Sequence, residues 1–510
     1  MWREKIISLL ILFVVVGFQS IPAASGSPVG FDVRQHLSTV TRYEVGKHYR
    51  GGSDEAVPPV PSGCVPIHLN LVARHGTRAP TKKRIKQLDE LIAKVSKLDR
   101  KDGSKVPAWL KDFHSPWEGR TYGGELLPEG EQELYELGQR LRERYPTLFQ
   151  YDYHPDVYPI TATQVARSAA SAVAFGMGLF EGKGRLGGSN HRAFSVITDS
   201  RDRDIHLRFH ESCMAYKESK KLRKPAVQVF QDDVYRQVAA AVGPRYELDL
   251  THEDVEGFWL LCKEEASLLN ITDRACGLFN AAEVELLEWA DDVQAHHLKG
   301  YGEAINYQMG VPLLEDVVSS MDQSIAADKG TQKNGAVESA RLRVAHAETV
   351  IPFTCLLGLF MEGGDVKSLQ SEKSMKHPAR PPHQRVWKGS VVAPFGANTA
   401  LVLYKCPKKA EGTVSSAENA SEYLVQVLHN EKPISMPACN GRHFCPFTEF
   451  KETVAGPHLK NTFETVCKVE VTPPKISWPR RVYQRVSQIL QWPFQTANLN
   501  SPDSRTCKAY

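Results

Sequence analysis

Two arginines and a histidine lie within five residues in the stretch Arg74-His75-Gly76-Thr77-Arg78-Ala79-Pro80. Guanidinium groups stay charged and match phosphate oxygens with paired N–H donors. A neutral imidazole between them has the lone pair needed to attack a bound phosphorus atom. The glycine after the histidine lets the backbone turn closely. The stretch therefore predicts a phosphate-binding loop that contains a nucleophile, His75.

The element that must position this loop is a predicted β-strand over residues 65–73. Apolar residues alternate along it at period two: Val65, Ile67, Leu69, Leu71 and Ala73. Functional side chains often follow the carboxyl end of a strand, where the backbone holds them rigidly. An Arg-His-Gly run also occurs by chance, and arginine-rich turns are often solvated or paired with acids. The functional interpretation therefore depends on the longer pattern.

The full run, continued by Thr81-Lys82-Lys83-Arg84-Ile85, resembles the signature of the histidine acid phosphatase family. Within that family it is most similar to the multiple inositol polyphosphate phosphatase, or phytase, branch. The resemblance implies that His75 is transiently phosphorylated and that Arg74, Thr77 and Arg78 bind the phosphate. It also implies an α/β fold, in which helices flank a core sheet and a mainly α-helical domain is inserted. Distant stretches at residues 207–213 and 300–306 share the resemblance, so it covers most of the chain.

A second group of functional residues lies in Arg343-Val344-Ala345-His346-Ala347-Glu348-Thr349, at a predicted strand end. In an extended backbone, His346 and Glu348 would point the same way. The imidazole could hold a phosphate oxygen, and a protonated Glu348 could donate to the leaving alkoxide. A helix is predicted from Thr349. Many histidine acid phosphatases carry His-Asp here, whereas the inositol polyphosphate branch carries His-Ala-Glu, so the difference narrows the resemblance to that branch.

The same His-x-Glu pattern begins the zinc deaminase signature, which also requires Pro-Cys-x-x-Cys further along the chain. Here Ala438 separates Pro437 from Cys439, and the next cysteine, Cys445, comes too late for that spacing. Disulfides explain these cysteines better, so the deaminase is the weaker interpretation.

Arg167 lies near the predicted start of a helix that runs to Phe180, where backbone N–H groups already favour anions. A short strand is predicted over residues 157–160, and Thr161 or Thr163 is the candidate N-cap. An arginine in this position is commonly a surface residue. The family resemblance makes Arg167 a third phosphate-binding arginine.

Four cations follow the signature directly, which is more than one phosphate requires: Lys82, Lys83, Arg84 and Lys86. They lie on an amphipathic helix predicted over residues 82–101. Further phosphates on a polyanionic ring would use them, and point-charge lysines tolerate several orientations. We therefore expect Lys82 and Lys83 to bind substrate phosphates. The alternative is that these lysines only solvate the helix.

The N-terminus has the pattern of a secretory signal peptide over residues 1–25, because Arg3 and Lys5 precede an apolar run and then small residues. A retained signal anchor is the alternative. No later stretch is long and apolar enough to span a membrane. The net charge of +4 over 510 residues is too small to indicate a nucleic-acid partner.

We expect one catalytic unit over residues 26–470, followed by a basic tail over residues 471–510. The α/β core is expected at about 60–170 and 336–470, and the helical insert at about 171–335. Further predicted elements are strands over 390–393, 400–405 and 423–429, a mainly surface helix over 128–144 and an exposed loop over 363–384. The tail is expected to be a solvated appendage, with contact to a membrane surface as the alternative.

Ten cysteines in such a chain indicate disulfides. Spacing favours two local pairs, Cys262–Cys276 and Cys439–Cys445. The family resemblance implies two long-range pairs, Cys64–Cys406 and Cys213–Cys467. Cys355, in an apolar helical run, is expected to be a buried free thiol, and Cys507 has no assigned partner. Sequons at Asn270 and Asn419 predict glycosylation.

These features together predict a secreted phosphomonoesterase that hydrolyses phytate and lower inositol polyphosphates. Arg74, Arg78, Arg167 and His346 would neutralise the phosphate, and Glu348 would protonate the leaving oxygen. No metal or other cofactor is expected, because the arginines supply the positive charge. The alternatives are a generic acid phosphatase, a 2,3-bisphosphoglycerate phosphatase, a mutase and a binding protein without turnover. The expected location is the secretory pathway: extracellular, or an endomembrane or vacuolar lumen.

Overall fold

The computed structural model describes residues 30–48, 58–95, 105–111, 113–331, 337–361, 379–382, 385–407 and 421–469. Several predictions fall outside these ranges. They are the signal peptide, the basic tail with Cys507, the sequon at Asn419 and most of the exposed loop at 363–384.

The described strands form one mixed, seven-stranded sheet in the order β2-β3-β1-β4-β5-β6, with β7 paired to β5. The strands are β1 (Val65–Arg74), β2 (Ile160–Ala162), β3 (Ala340–Ala345), β4 (Asn398–Pro407), β5 (Ser421–His429), β6 (Lys432–Ile434) and β7 (Phe444–Pro446). The three strands β2, β3 and β1 are mutually parallel neighbours, and the other pairings are antiparallel. Because parallel strands end at the same edge, the loops after β1, β2 and β3 meet.

The described α-helices surround this sheet and fill the long connection between β2 and β3. They are α1 (Tyr43–His48), α2 (Lys82–Val95), α3 (Pro128–Arg144), α4 (Ala166–Leu179), α5 (Phe209–Ser212), α6 (Met214–Tyr246), α7 (His252–Leu268), α8 (Ala281–Lys299), α9 (Ile305–Gln308), α10 (Val311–Asp328), α11 (Ala347–Leu356), α12 (Gly389–Val392), α13 (Phe447–Glu449), α14 (Gly456–Leu459) and α15 (Phe463–Cys467). No described helix combines the length and apolar character that a membrane span requires.

The period-two pattern of β1 places its side chains in two different cores. Leu69, Leu71 and Ala73 pack into a cluster with residues of α3 and α4. Val72 points the other way and packs with residues of α10 and α11. Burial on both faces fixes the register of β1, and therefore fixes where its carboxyl end presents the next residue, His75.

The helices between β2 and β3 have their own apolar core, centred on α6, α7 and α8. Two of these helices start at capping boxes, in which Thr251 caps α7 and Asn280 caps α8. Helix α8 ends at Lys299, beside α11, so its carboxyl end reaches the edge of the sheet where the parallel strands finish.

Three local predictions differ from the structure. Residues 390–393 are largely a helical turn, α12, because the backbone N–H of Gly389 and the hydroxyl of Ser390 bond to Asp292 and Glu288 of α8. The strand predicted over 157–160 lies two to three residues later, at β2. Helix α3 is not mainly a surface helix, since one face, including Glu133, Leu134 and Leu137, is buried.

Four disulfides join eight of the nine described cysteines, and all four confirm the expected pairs. Cys262–Cys276 and Cys439–Cys445 close local loops, while Cys64–Cys406 and Cys213–Cys467 join distant segments. Cys355 is a buried free thiol, as expected. Since Cys439 and Cys445 are oxidised, they are not available as the paired thiolates of a zinc deaminase.

Candidate active site

The two predicted functional segments meet where β1 and β3 end side by side. Arg74 pairs with Ala345 in the parallel register, and the backbone N–H of His75 donates to the carbonyl oxygen of Ala345 over 3.0 Å. The ring centroids of His75 and His346 consequently lie only 5.5 Å apart, in an edge-on arrangement. Residues separated by more than 270 positions thus share one site.

His75 is oriented for nucleophilic attack. Its Nδ1 lies 2.9 Å from the carbonyl oxygen of Gly76. A carbonyl oxygen only accepts hydrogen bonds, so Nδ1 carries the proton and Nε2 keeps its lone pair. Burial lowers the pKa of His75 well below its usual value, and the charges of Arg74, His346, Arg167 and Arg78 lower it further. The imidazole is therefore neutral, as a nucleophile must be.

The loop that carries His75 is held against the start of α3. A Cβ on Gly76 would lie 2.1 Å from the carbonyl oxygen of Gly130, so only glycine permits this approach. Both the backbone N–H and the hydroxyl of Thr77 donate to the Glu133 carboxylate over 2.8 Å. The backbone N–H of Gly76 donates to Ser171 of α4. These contacts fix the loop from two helices.

The position of Thr77 bears on its predicted role. Its backbone donor and its hydroxyl are both occupied by Glu133, so in the free protein it secures the loop. Glu133 itself is a residue that sequence reasoning did not select. Its helix was predicted correctly, yet nothing local distinguishes Glu133 from the other glutamates of α3.

Arg74 and Arg78 lie on either side of His75 and share an aromatic neighbour. The guanidinium carbon of Arg74 lies 4.4 Å from the ring centroid of Phe395, and that of Arg78 lies 5.8 Å away. Arg74 also donates to the backbone carbonyl of Ala393 over 2.7 Å. Its Nε–H is buried and bonds to no described atom. Burial, and then the charge of Arg78, lower the pKa of Arg74 to about 9, so it remains charged at acid and neutral pH.

Arg167 and His346 form the opposite side of the site. Arg167 is the second residue of α4, whose N-cap is Val165, and its Nη2 lies 3.5 Å from Nδ1 of His346. The Nε–H of Arg167 is buried without a described partner. Thr163 does not cap α4, because its hydroxyl lies 3.0 Å from Nε2 of His346. Burial is also the largest cause that lowers the pKa of His346 well below its usual value.

Two further residues reach the same point: Arg208, just before α5, and His210 within α5, whose pKa burial lowers to about 4. Nη1 of Arg208 lies 3.4 Å from Nε2 of His346, and the ring of His210 lies 6.4 Å from that of His346. Nε of Arg208 and Nδ1 of His210 are buried and have no described hydrogen-bond partner. The stretch 207–213 resembles the family, but no role was predicted for Arg208 or His210.

Glu348 is not on an extended backbone, because α11 begins at Ala347 with His346 as its N-cap. It still lies in the site, where Lys299 at the end of α8 forms an ion pair with it over 2.9 Å. Burial acts to raise the pKa of Glu348, but Lys299, His210 and His346 outweigh burial and hold it well below its usual value. In the free protein, Glu348 is therefore a carboxylate.

Lys82 and Lys83 occupy the first turn of α2 and are exposed. Neither makes an ion pair with any other residue in the part of the chain that the structure describes. Arg84 approaches Glu264 to 3.9 Å, and Lys86 approaches Glu90 to 3.7 Å. The two unpaired lysines follow Arg78 by four and five positions.

A model of the histidine phosphatase superfamily (branch 2) matches residues 67–430. The chain belongs to this superfamily. The matched range contains β1 from Ile67 onward, the loop with His75, the helices between β2 and β3, and the His346–Glu348 segment. The core sheet and its flanking helices therefore have the fold of this superfamily.

Known relatives extend over most of the chain. It is 28% identical over 414 residues to multiple inositol polyphosphate phosphatase 1 of Gallus gallus, covering 78% of this chain and 85% of that protein. It is also 28% identical over 440 residues to the protein of the same name from Dictyostelium discoideum, covering 77% and 66%. Phytase A of Emericella nidulans is 22% identical over 406 residues.

Solved structures share the fold. The phytase from D. castellii superposes with a TM-score of 0.67 at 16% identity, covering 89% of this chain and 92% of that one. The multiple inositol polyphosphate phosphatase of Bifidobacterium longum, solved in complex with inositol hexasulfate, gives a TM-score of 0.59 at 18% identity and covers 83% and 98%. The expected α/β architecture is confirmed.

Proposed function

We propose that this protein is an acid phosphomonoesterase that hydrolyses phytate and lower inositol polyphosphates through a phosphohistidine at His75. The observation that carries the proposal is the state of His75: a buried, neutral imidazole with its Nε2 lone pair free, between Arg74 and Arg78. The unpaired Nε–H donors of Arg74 and Arg167 support it further, because an anion would satisfy buried cationic donors.

In the first step, Arg74, Arg78, Arg167 and His346 hold the oxygens of the phosphate to be removed. Nε2 of His75 attacks phosphorus as the bond from phosphorus to the alkoxide oxygen breaks. The developing charge is spread over the guanidinium groups, and such preorganised electrostatic stabilisation dominates phosphoryl transfer. Glu348, in its protonated form, gives its proton to the departing alkoxide.

In the second step, water attacks the phosphorus of phosphohistidine in line with the N–P bond. Glu348, now a carboxylate, accepts a proton from that water. The N–P bond breaks, inorganic phosphate leaves, and His75 regains its lone pair. The sequence of steps consumes one water and restores both residues.

The substrate class follows from charge outside the central cluster. Lys82 and Lys83 are exposed and unpaired within the described chain, and Arg208 brings a further guanidinium to His346. One phosphate does not need this many cations, whereas a ring bearing several phosphates does. Relatives named multiple inositol polyphosphate phosphatase and phytase support the same class. The four disulfides support an oxidising compartment of the secretory pathway.

The decisive test is to quench turnover rapidly and look for phosphate on the peptide that contains His75. We expect a labile adduct in the wild type, release of free phosphate from phytate, and neither in His75→Ala. Near-normal turnover by His75→Ala would refute the proposed mechanism. Phosphate transfer without free phosphate would favour a mutase, and binding without any adduct would favour a binding protein. Equal catalytic efficiency on phytate and on 2,3-bisphosphoglycerate or simple esters would favour the less specific phosphatases.

A further inference from the structure

The ion pair between Lys299 and Glu348 opposes the role that the proposed mechanism gives to Glu348. A general acid must carry a proton, yet an ammonium group 2.9 Å from the carboxylate stabilises the ionised form. The inference below rests on the proposed function and addresses how Glu348 acquires its proton.

Cationic side chains lie on several sides of Glu348. They are Lys299 on α8, Lys220 on α6, Arg208 before α5, Arg167 on α4, Arg74 at the end of β1 and Arg78 after it. The other titratable groups that face Glu348 are His210 on α5, His346 before α11 and Tyr216 on α6, and burial shifts the pKa of each in the direction that favours its neutral form. Lys299 is distinguished among them by its direct contact with the Glu348 carboxylate. Its side chain is 24% exposed and that of Glu348 is 32% exposed, so solvent and ligands reach the pair.

Lys299 also has a lysine neighbour that makes no ion pair within the described chain. Nζ of Lys220 lies 5.4 Å from the ring centroid of Tyr216, and the hydroxyl of Tyr216 donates to the carbonyl oxygen of Leu298 over 2.9 Å. This bond holds α6 against the end of α8. Burial, and then the positive charge of Lys299, lower the pKa of Lys220. A phosphate placed next to both ammonium groups would relieve that repulsion.

We propose that Lys299 is a positioning residue that couples protonation of Glu348 to the binding of a second substrate phosphate. In the free enzyme, Lys299 holds Glu348 as a carboxylate. A phosphate adjacent to the one being removed draws Nζ of Lys299 towards itself and towards Lys220. Glu348 then loses its counter-ion, takes up a proton from solvent, and delivers it to the alkoxide. A substrate with a single phosphate leaves the ion pair intact.

The consequence is a difference between substrates in the pH dependence of kcat. The rate falls as the pH rises through the pKa of the general acid, so a lower pKa moves the fall to lower pH. A direct opposite charge shifts a carboxyl pKa by about one to three units. In the wild type, kcat for inositol hexakisphosphate should therefore decrease at a higher pH than kcat for glycerol 2-phosphate. The two midpoints should differ by about one pH unit or more.

The experiment compares the two profiles in the wild type, Lys299→Met and Lys299→Arg. In Lys299→Met the cation is removed, so the pH at which kcat for glycerol 2-phosphate decreases should rise by about one unit. The profiles for the two substrates should then coincide. Lys299→Arg keeps a cation and should keep the profiles apart. Glu348→Gln tests whether Glu348 causes the decrease in kcat with rising pH, because that decrease should disappear in this variant.

Lys451→Met is the matched control, since Lys451 forms an exposed ion pair with Asp322 over 2.8 Å outside the set of groups that face Glu348. It should leave both profiles unchanged, and thermal unfolding checks that each variant is folded. The proposal is overturned if the two wild-type profiles coincide, or if Lys299→Met changes KM without moving either profile. Absence of phosphate release from every substrate by the wild type would instead refute the proposed function itself.

Discussion

Glu133 offers a quantitative test of how the nucleophile is held in place. The carboxylate accepts one hydrogen bond from the backbone N–H of Thr77 and one from its hydroxyl, both over 2.8 Å. Glu133→Ala leaves the two buried donors of Thr77 without a partner, and it also removes the longer hydrogen bond, 3.4 Å, from the backbone N–H of Tyr43. Each unsatisfied donor costs about 1–3 kcal/mol, so the free energy of unfolding should fall by about 2–6 kcal/mol.

The same substitution should affect catalysis more than substrate binding. Loss of the Glu133 contacts frees the loop at Thr77, two residues after the nucleophile. A displacement of about 1 Å in a reacting group can lower the rate about 100-fold. Arg74 and Arg167 are held by other elements, so KM for an aryl phosphate should change less than kcat.

The assay measures kcat and KM at acid pH together with denaturant unfolding of the disulfide-bonded protein. Burial raises the pKa of Glu133, so loss of its charge in Glu133→Gln should cost little. The amide oxygen can accept from the backbone N–H of Thr77, and the amide NH2 can donate to the Thr77 hydroxyl oxygen. Glu133→Gln should therefore cost about 1 kcal/mol or less. Glu136→Ala, on the exposed side of α3, is the control and should change the free energy of unfolding by less than about 0.5 kcal/mol. A Glu133→Ala variant whose kcat stays within about threefold of wild type would refute this account of the loop.

Three further predictions concern the acid, the outer cations and stability. Glu348→Gln should slow hydrolysis of inositol phosphates by about 100-fold or more and that of 4-nitrophenyl phosphate far less, because a nitrophenolate leaves without a proton; equal losses would exclude Glu348 as the donor. Lys82→Glu combined with Lys83→Glu should raise KM for phytate steeply and leave the aryl ester nearly unchanged; matched effects would mean that these lysines do not bind substrate. Burial raises the pKa of Asp292 to about 7, so its contribution to stability is present below about pH 4 and is lost as the pH rises through about 7. Unfolding measured across that window should therefore show a smaller loss of stability in Asp292→Asn than in the wild type.

The features that sequence predicts well are those whose information is local. The alternating pattern of β1 and the glycine-containing run after it specify the strand, the loop and the nucleophile within a few neighbouring residues. The helical turn at α12 shows the opposite case. Its short apolar run fits a strand equally well, and the bonds from Gly389 and Ser390 to α8 decide the outcome.

Three functional residues were not predicted from the sequence, again because their roles depend on contacts with distant parts of the chain. Glu133, Arg208 and Lys299 each lie on a helix, or next to one, in a pattern that predicts only that helix. Their roles arise because the parallel register of β1 and β3 brings His75 and His346 together. The surrounding helix ends then converge on that edge. The spacing of residues along the chain does not predict these contacts. The family resemblance at 207–213 and 300–306 did indicate two of the segments involved.

The site places opposite demands on its nucleophile and its general acid, and the charge of the substrate satisfies both. A cluster of cations lowers the pKa of every neighbouring acid. For His75 this is useful, because the nucleophile must be neutral. For Glu348 it is harmful, because the acid must be protonated. An anionic substrate reverses the local field when it binds, which favours protonation of Glu348. Burial keeps the pKa of His75 well below its usual value, and the Nδ1–H bond to Gly76 places the lone pair of the neutral ring on Nε2. Substrates that bring more phosphate to the Lys299 side should therefore be better substrates, for reasons of proton transfer as well as affinity.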